Sequence, residues 1–210
     1  MQQASDFREE SLTLKILIAD LDDAAFEKTT QFKSWTINDV FRHLHFWNKA
    51  VMVATEGDNA FAAFFEGVGA HMLKGGSLPE YEKAYLDGLS GGALREAWAS
   101  LVDETADAYA ALDPSSRVPW AGPSMSARSA ISARQMETWA HGQEVFDVLG
   151  ADREEHDRIR NIVVLGINTF GWTFKVRGET PPEPMPFVSL VSPSGEVWTY
   201  GESQQSNFIQ

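Results

Sequence analysis

The chain has 210 residues, of which 43% are hydrophobic, and it carries a formal net charge of −13. These values are typical of a soluble globular protein of one domain, with room for a small appendage. The negative charge disfavours nucleic acid and anionic membrane surfaces as partners, and no apolar stretch reaches the roughly 20 residues of a membrane span.

The chain contains no cysteine. Disulfides and thiolate metal ligands are therefore excluded, so any bound metal must use nitrogen and oxygen ligands. A chain without cysteine fits a cytoplasmic protein, and the N-terminal residues lack the basic and apolar regions of a signal peptide. We therefore expect a cytoplasmic location.

Apolar residues at helical spacing predict helices along most of the chain. The predicted helices cover residues 6–22, 37–55, 60–73, 79–112 with an interruption near residues 91–92, a segment from about residue 127 to residue 149, and residues 154–174. Thr36 is expected to cap the second of these, with Asp39 as its partner in a capping box. Ser126 or Ser129 is expected to cap the helix that ends at Gly150.

The character of the chain changes after these helices. Residues 177–186 are rich in proline and predict a linker, and residues 187–191 and 196–200 predict a β-hairpin. We therefore expect a metal-binding helical bundle over residues 1–176, followed by a linker and the start of a small C-terminal domain over residues 177–210. Two strands alone are marginally stable. They must pack on the helices, pair with a second chain in a homodimer, or belong to a sequence that continues past residue 210.

Three residues carry the chemistry of this chain. Glu137 and His141 are four residues apart, which places both on one face of a helix, where they can bind the same divalent metal. His43 lies at the edge of the apolar face of its own helix, whereas His45 lies near Lys49 on the far side and is expected to be solvated. Three ligands and an open fourth position are typical of a catalytic metal site. Spacing alone leaves an alternative, in which the pair lies on the surface and His43 is an ordinary core histidine.

The residues around these ligands resemble two motifs of a known family. The pattern Trp35-Thr36-x-x-Asp39-Val40-x-x-His43-Leu44 resembles the first metal motif of the DinB-like four-helix-bundle metalloproteins. The pattern Arg134-x-x-Glu137-x-x-x-His141-x-x-Glu144-Val145 resembles the second motif of the branch that includes the N-terminal domain of mycothiol-dependent maleylpyruvate isomerase.

The resemblance implies a mainly α fold, a DinB-like four-helix bundle with a small C-terminal α/β or β-hairpin extension. It implies that His43, Glu137 and His141 bind a divalent metal, with zinc as the expected ion. It also implies a low-molecular-weight thiol, mycothiol or glutathione, as cosubstrate. The implied activity is that of a thiol-dependent transferase or a cis-trans isomerase acting on a small organic electrophile.

Several interpretations stay open at this point. Arg134 is the candidate catalytic residue as a binding group for a substrate carboxylate, although it could instead form a salt bridge with Glu137 or Glu144. Glu144 could be a further ligand, a general base or a solvated side chain, and Trp47 is expected in the core. The whole protein could instead be a non-catalytic metal-binding stress or sensor module, or an interaction protein that dimerises through its hairpin.

Overall fold

The computed structural model describes residues 1–203 and 208–209, and the bounds below refer to this part of the chain. The helices are α1 (Gln2–Leu17), α2 (Ile37–Ala54), α3 (Asp58–Leu73), α4 (Leu78–Tyr85), α5 (Gly91–Ala111), α6 (Ala127–Leu149) and α7 (Arg160–Lys175). The strands are β1 (Arg117–Val118), β2 (Met125–Ser126), β3 (Phe187–Val191), β4 (Val197–Tyr200) and β5 (Phe208–Ile209). Short 3₁₀ turns occur at Ala25–Glu27 and Asp157–Ile159.

The helices that carry the candidate ligands begin and end at local sequence signals. The Thr36 hydroxyl accepts a hydrogen bond from the Asp39 N–H, and the Asp39 carboxylate accepts one from the Thr36 N–H, so the predicted capping box of α2 is confirmed. Ser126 caps α6 by accepting from the Ser129 N–H. Gly150 ends α6 in the left-handed conformation, with φ of 65°, which glycine adopts without steric cost.

Four helices, α1, α2, α5 and α6, pack against one another around the main hydrophobic core, and α3 and α4 pack beside α2. The rings of Phe41 and Trp98 meet edge to face at 4.9 Å in this core. The buried Tyr109 hydroxyl donates to the Val51 carbonyl, which ties α5 to α2. The predicted mainly α bundle is confirmed.

The chain divides into two compact units, residues 1–153 and residues 154–210. The sequence predicts a boundary after residue 176, so the two divisions differ by α7. No residue of α7 is buried, and its apolar positions belong to neither buried core cluster of the described residues.

The second unit contains the predicted hairpin. β3 pairs antiparallel with β4, with Val191 opposite Val197, and β5 runs parallel to β3 on its other edge. The Asp157 carboxylate accepts hydrogen bonds from the backbone N–H and the hydroxyl of Ser194 in the hairpin turn. The predicted C-terminal segment also includes residues 204–207 and 210, which lie outside the described residues. Within the described part of the chain, no helix has the length and apolar character needed to cross a membrane.

Candidate metal centre

The structure brings His43 of α2 together with Glu137 and His141 of α6. His43 Nε2 and His141 Nε2 each lie 3.3 Å from the same carboxylate oxygen, Oε2 of Glu137. One ligand atom from each residue lies within 4.8 Å of the others. The two imidazoles are 10% and 12% exposed, and the Glu137 side chain is 30% exposed. The cluster is therefore recessed but open to small molecules.

Aromatic side chains of the loop before α2 cover one side of this cluster. Trp35 stacks on the His141 ring, with centroids 5.6 Å apart and planes 14° apart, and Phe32 meets the same ring edge-on at 5.0 Å. The cluster opens into a cavity of about 840 Å³. This outer cavity is lined by the three candidate ligands and by Phe32, Lys33, Trp35, Met72 and the segment Gly76-Ser77-Leu78-Pro79.

A buried glutamate of α4 contacts the other nitrogen of His43. Glu82 is fully buried, and its Oε1 lies 2.8 Å from His43 Nδ1. The Trp47 indole N–H donates to the same oxygen at 3.0 Å. The sequence gives no sign of this contact, since Glu82 and the exposed Glu80 are both ordinary glutamates of one short helix. Trp47 is expected in the core. It packs against the core and also donates to Glu82 beside the ligand cluster.

The protonation of these groups favours a cation at the centre of the cluster. A carboxylate only accepts hydrogen bonds, so His43 Nδ1 donates to Glu82, and its Nε2 faces Glu137. Burial lowers the pKa of His43, but the hydrogen bonds to Glu137 and Glu82 outweigh this effect and raise it overall. A neutral His43 has one N–H and can donate to only one of the two carboxylates, so a proton or a metal ion on the other nitrogen stabilises the arrangement.

Glu137 is held in its ionised form, as a metal ligand requires. Burial alone raises the pKa of its carboxyl group, but hydrogen bonding with His141 and with protonated His43, together with the nearby charge of Arg134, lowers it well below its ordinary value. Two imidazole nitrogens and one ionised carboxylate form a donor set that suits zinc and related divalent ions. The residues present thus fit a metal ion.

Arg134 lies behind the cluster with its side chain almost completely buried, at 1% exposure. Its Nε donates to the Asn48 side-chain oxygen at 3.1 Å, while its Nη2 has no hydrogen-bond partner among the described residues. Burial lowers the pKa of Arg134 to about 10, although Glu137 and Glu82 raise it. The guanidinium is therefore still charged at neutral pH.

One predicted alternative for Arg134 is a salt bridge with Glu137 or Glu144. Among the described residues, no ion pair joins it to Glu137 or Glu144. Instead it borders a second, smaller cavity of about 180 Å³, lined by Arg134, Glu137, His43, Trp47 and Trp120. Glu144 is not part of the ligand cluster.

The prediction that His45 is solvated is wrong. Its side chain is only 4% exposed, and its Nδ1 has no hydrogen-bond partner in the described part of the chain. Burial, aided by the charge of Lys49, lowers its pKa to about 4. Because α2 packs against α3, α4, α5 and α6, it is covered on more than the one face that an amphipathic pattern reveals.

A four-helix bundle with a His–Glu–His cluster between its second helix and a late helix defines the class of DinB-like helical-bundle proteins. Residues 7–146 match the family described as "Mycothiol maleylpyruvate isomerase N-terminal domain". The chain belongs to this family.

The matches to individual relatives cover nearly the whole chain. Two proteins of Mycobacterium tuberculosis, "Uncharacterized protein MT0041" of strain CDC 1551 and "Uncharacterized protein Rv0036c" of strain H37Rv, are each 32% identical over 98% of this chain and 79% of their own length. Crystal structures of the mycothiol-dependent maleylpyruvate isomerase and of a mutant of it align with a TM-score of 0.61 at 17% identity. Each alignment covers 94% of this chain and 78% of that one. The structural likeness shows a shared fold.

Proposed function

We propose that the protein is a metal-dependent enzyme that uses a low-molecular-weight thiol to isomerise or substitute a small organic electrophile. The observation that carries the proposal is the convergence of His43 Nε2, His141 Nε2 and Glu137 Oε2 on one point. These three residues would hold the metal, for which zinc is our candidate. When bound, such an ion supplies Lewis acidity and lowers the pKa of a coordinated thiol.

The thiol must come from solution, because the chain has no cysteine. Family membership supports a thiol cosubstrate, and mycothiol and glutathione are the two candidates. The outer cavity of about 840 Å³ falls within the range of small-molecule sites, roughly 300–1,000 Å³. We propose a cytoplasmic location, because small thiols are kept reduced there.

Arg134 is proposed to bind a carboxylate of the electrophile. Its Nη2 is a buried donor with no hydrogen-bond acceptor among the described residues, and a guanidinium pairs with a carboxylate through two parallel hydrogen bonds. The smaller cavity beside it also borders His43 and Glu137. A carboxylate held there would bring the attached carbon chain next to the candidate metal centre.

Metal analysis tests the ligand set. We expect wild-type protein loaded with zinc and then desalted to retain about one ion per chain, and His43→Ala and His141→Ala to lose it, since each removes one of three ligands. His156→Ala is the matched control because this histidine lies outside the cluster. Full retention of zinc by both ligand variants would show that the site is elsewhere.

Thiol chemistry is tested with the metal-loaded protein. It is incubated with mycothiol or glutathione and either a cis-unsaturated acid or an alkylating electrophile, and isomerisation and thiol consumption are followed. We expect turnover by wild type that needs both thiol and metal and is absent from His141→Ala. Zinc binding with neither thiol binding nor turnover would favour the alternative, a non-catalytic stress or sensor module.

The interaction alternative concerns the hairpin of the second unit. Val197 on the edge strand β4 is 63% exposed, and exposed edge strands can pair with a second copy. A homodimer of this kind would dissociate when Val188 and Val197 are both changed to aspartate. An unchanged mass in solution would count against it.

A further inference from the structure

Glu82 is a fully buried carboxylate of the first unit that touches a candidate metal ligand, and it lies where α4 packs beside α2. α4 is a helix of 8 residues whose start is already stabilised by a capping box between Ser77 and Glu80. Burying a charged carboxylate costs several kcal/mol unless strong partners compensate. The Glu82 Oε1 atom has two such partners, the ring nitrogen of His43 and the indole of Trp47.

The two nitrogens of the His43 ring face different groups. Nδ1 contacts Glu82 at 2.8 Å, and Nε2 points to Glu137 and the centre of the cluster. A proton on Nδ1 leaves the Nε2 lone pair free for a cation. Glu82 is therefore on the wrong side of the ring to be a fourth ligand, and on the right side to set the tautomer of His43.

We infer that Glu82 is a positioning residue: it holds the proton of His43 on Nδ1, fixes the plane of the ring and presents Nε2 to the metal. Trp47 holds the carboxylate in turn, because its N–H donates to the same oxygen that His43 contacts. The inference deepens the proposed function and rests on it. It assigns a role to a residue that the two sequence motifs do not include.

The contact also connects the ligand to a wall of the outer cavity. The residues just before and at the start of α4, Ser77, Leu78 and Pro79, line that cavity. Since Glu82 lies one turn further along the same helix, its hydrogen bond to His43 keeps this wall in place beside the ligands.

The test compares Glu82→Gln with Glu80→Gln. Both changes remove one negative charge from α4, but Glu80 is exposed and contacts no candidate ligand, and glutamine preserves a capping box. Zinc affinity is measured by competition with a chromogenic chelator, and the geometry of the site by the visible absorption of bound Co²⁺. Loss of such an orienting partner typically weakens metal binding 10- to 100-fold.

We expect Glu82→Gln to bind zinc at least about tenfold more weakly than wild type and to change the Co²⁺ spectrum, with Glu80→Gln within about twofold of wild type. Unchanged affinity and spectrum in Glu82→Gln would overturn the inference. If Glu82→Gln shows no cooperative thermal transition, the tautomer of His43 is read instead in zinc-loaded wild-type protein, by long-range ¹H–¹⁵N NMR of the imidazole nitrogens, with a proton on Nδ1 as the expected result. A His43 proton on Nε2 would equally overturn the inference.

The outcomes separate this inference from the proposed function. Wild-type protein that binds no zinc overturns both. Wild-type protein that binds zinc through His43 and His141, together with a Glu82→Gln variant that binds it equally well, overturns the role of Glu82 alone.

Discussion

Burying the charged guanidinium of Arg134 costs free energy that a role in packing alone does not explain. The guanidinium donates one hydrogen bond to Asn48, and its Nη2 is unpaired in the described chain. It has lost hydrogen bonds to water, which a bound anion would replace. This imbalance is common at binding sites, where the ligand provides the missing partner.

Replacing Arg134 with methionine should therefore affect substrate binding more than metal binding. We expect kcat/KM for an electrophile that carries a carboxylate to fall about 10- to 100-fold, the equivalent of one charged hydrogen bond, with zinc content unchanged. Arg128→Met is the control, because Arg128 is an exposed arginine of the same helix. Equal losses for electrophiles with and without a carboxylate would contradict the assignment.

His45 should make stability depend on pH. In the folded protein its pKa is about 4, whereas an unfolded histidine has a pKa of about 6.5. Between these values the unfolded chain binds a proton that the folded protein rejects, so stability is lost as the pH falls from about 6.5 towards 4.

In metal-free protein, His45→Gln should flatten this part of the stability curve, because glutamine does not titrate. The free energy of unfolding, measured by urea titration at several pH values, should fall less steeply with acid than in wild type. His156→Gln serves as the control. A slope in His45→Gln as steep as that of wild type would show that other groups dominate.

The individual site residues differ in how well sequence could predict them. Glu137 and His141 meet because four residues make about one helical turn, a local relation. The inward direction of His43 follows from the apolar stripe around it. The burial of Glu82 and His45 depends on which helices pack beside α2, and no local pattern encodes that packing.

At the level of elements, α2 positions both His43 and the aromatic loop before it. Its first turn is fixed by the reciprocal hydrogen bonds of Thr36 and Asp39. Changing Thr36 to alanine should lower the free energy of unfolding by about 1 kcal/mol, the typical loss for an N-cap threonine. Urea denaturation monitored by circular dichroism measures the difference.

Thr55→Ala is the matched control, since Thr55 follows the other end of the same helix and is exposed. Exposed positions of this kind usually change stability by less than about 0.5 kcal/mol. Equal destabilisation by the two variants would mean that the capping box contributes nothing specific.

Elements with strong local signals are predicted almost to the residue, and the others are not. The predicted α2 and α6 agree with the structure because a capping residue marks each start. The helical pattern predicted over residues 79–112, with an interruption near residues 91–92, corresponds to two helices, α4 and α5, and the break lies just before Gly91, where φ is 57°. α7 begins at Arg160, after the start that the pattern predicts at residue 154, and its helical periodicity does not reveal which compact unit contains it.

At the level of the whole molecule, the candidate ligands join two helices that are far apart in sequence, α2 and α6. An ion bound by the folded protein alone should stabilise it by about 2.7 kcal/mol at a free concentration of 100 times Kd. For a chain of this size that corresponds to a rise in Tm of roughly 5–10 °C.

Thermal melts with and without zinc measure this effect. The rise should be reversed by a chelator and absent from His43→Ala, while His156→Ala should show the full rise. An equal rise in His43→Ala would indicate that zinc stabilises the protein through some other site.

The stack of Trp35 on His141 gives the site an optical reporter. Its indole lies 5.6 Å from one candidate ligand ring and 5.3 Å from the other, close enough for a paramagnetic ion between those ligands to quench its emission. Occupancy can therefore be followed by fluorescence without any added label. Trp35→Phe, which leaves the remaining tryptophans in place, separates this signal from theirs.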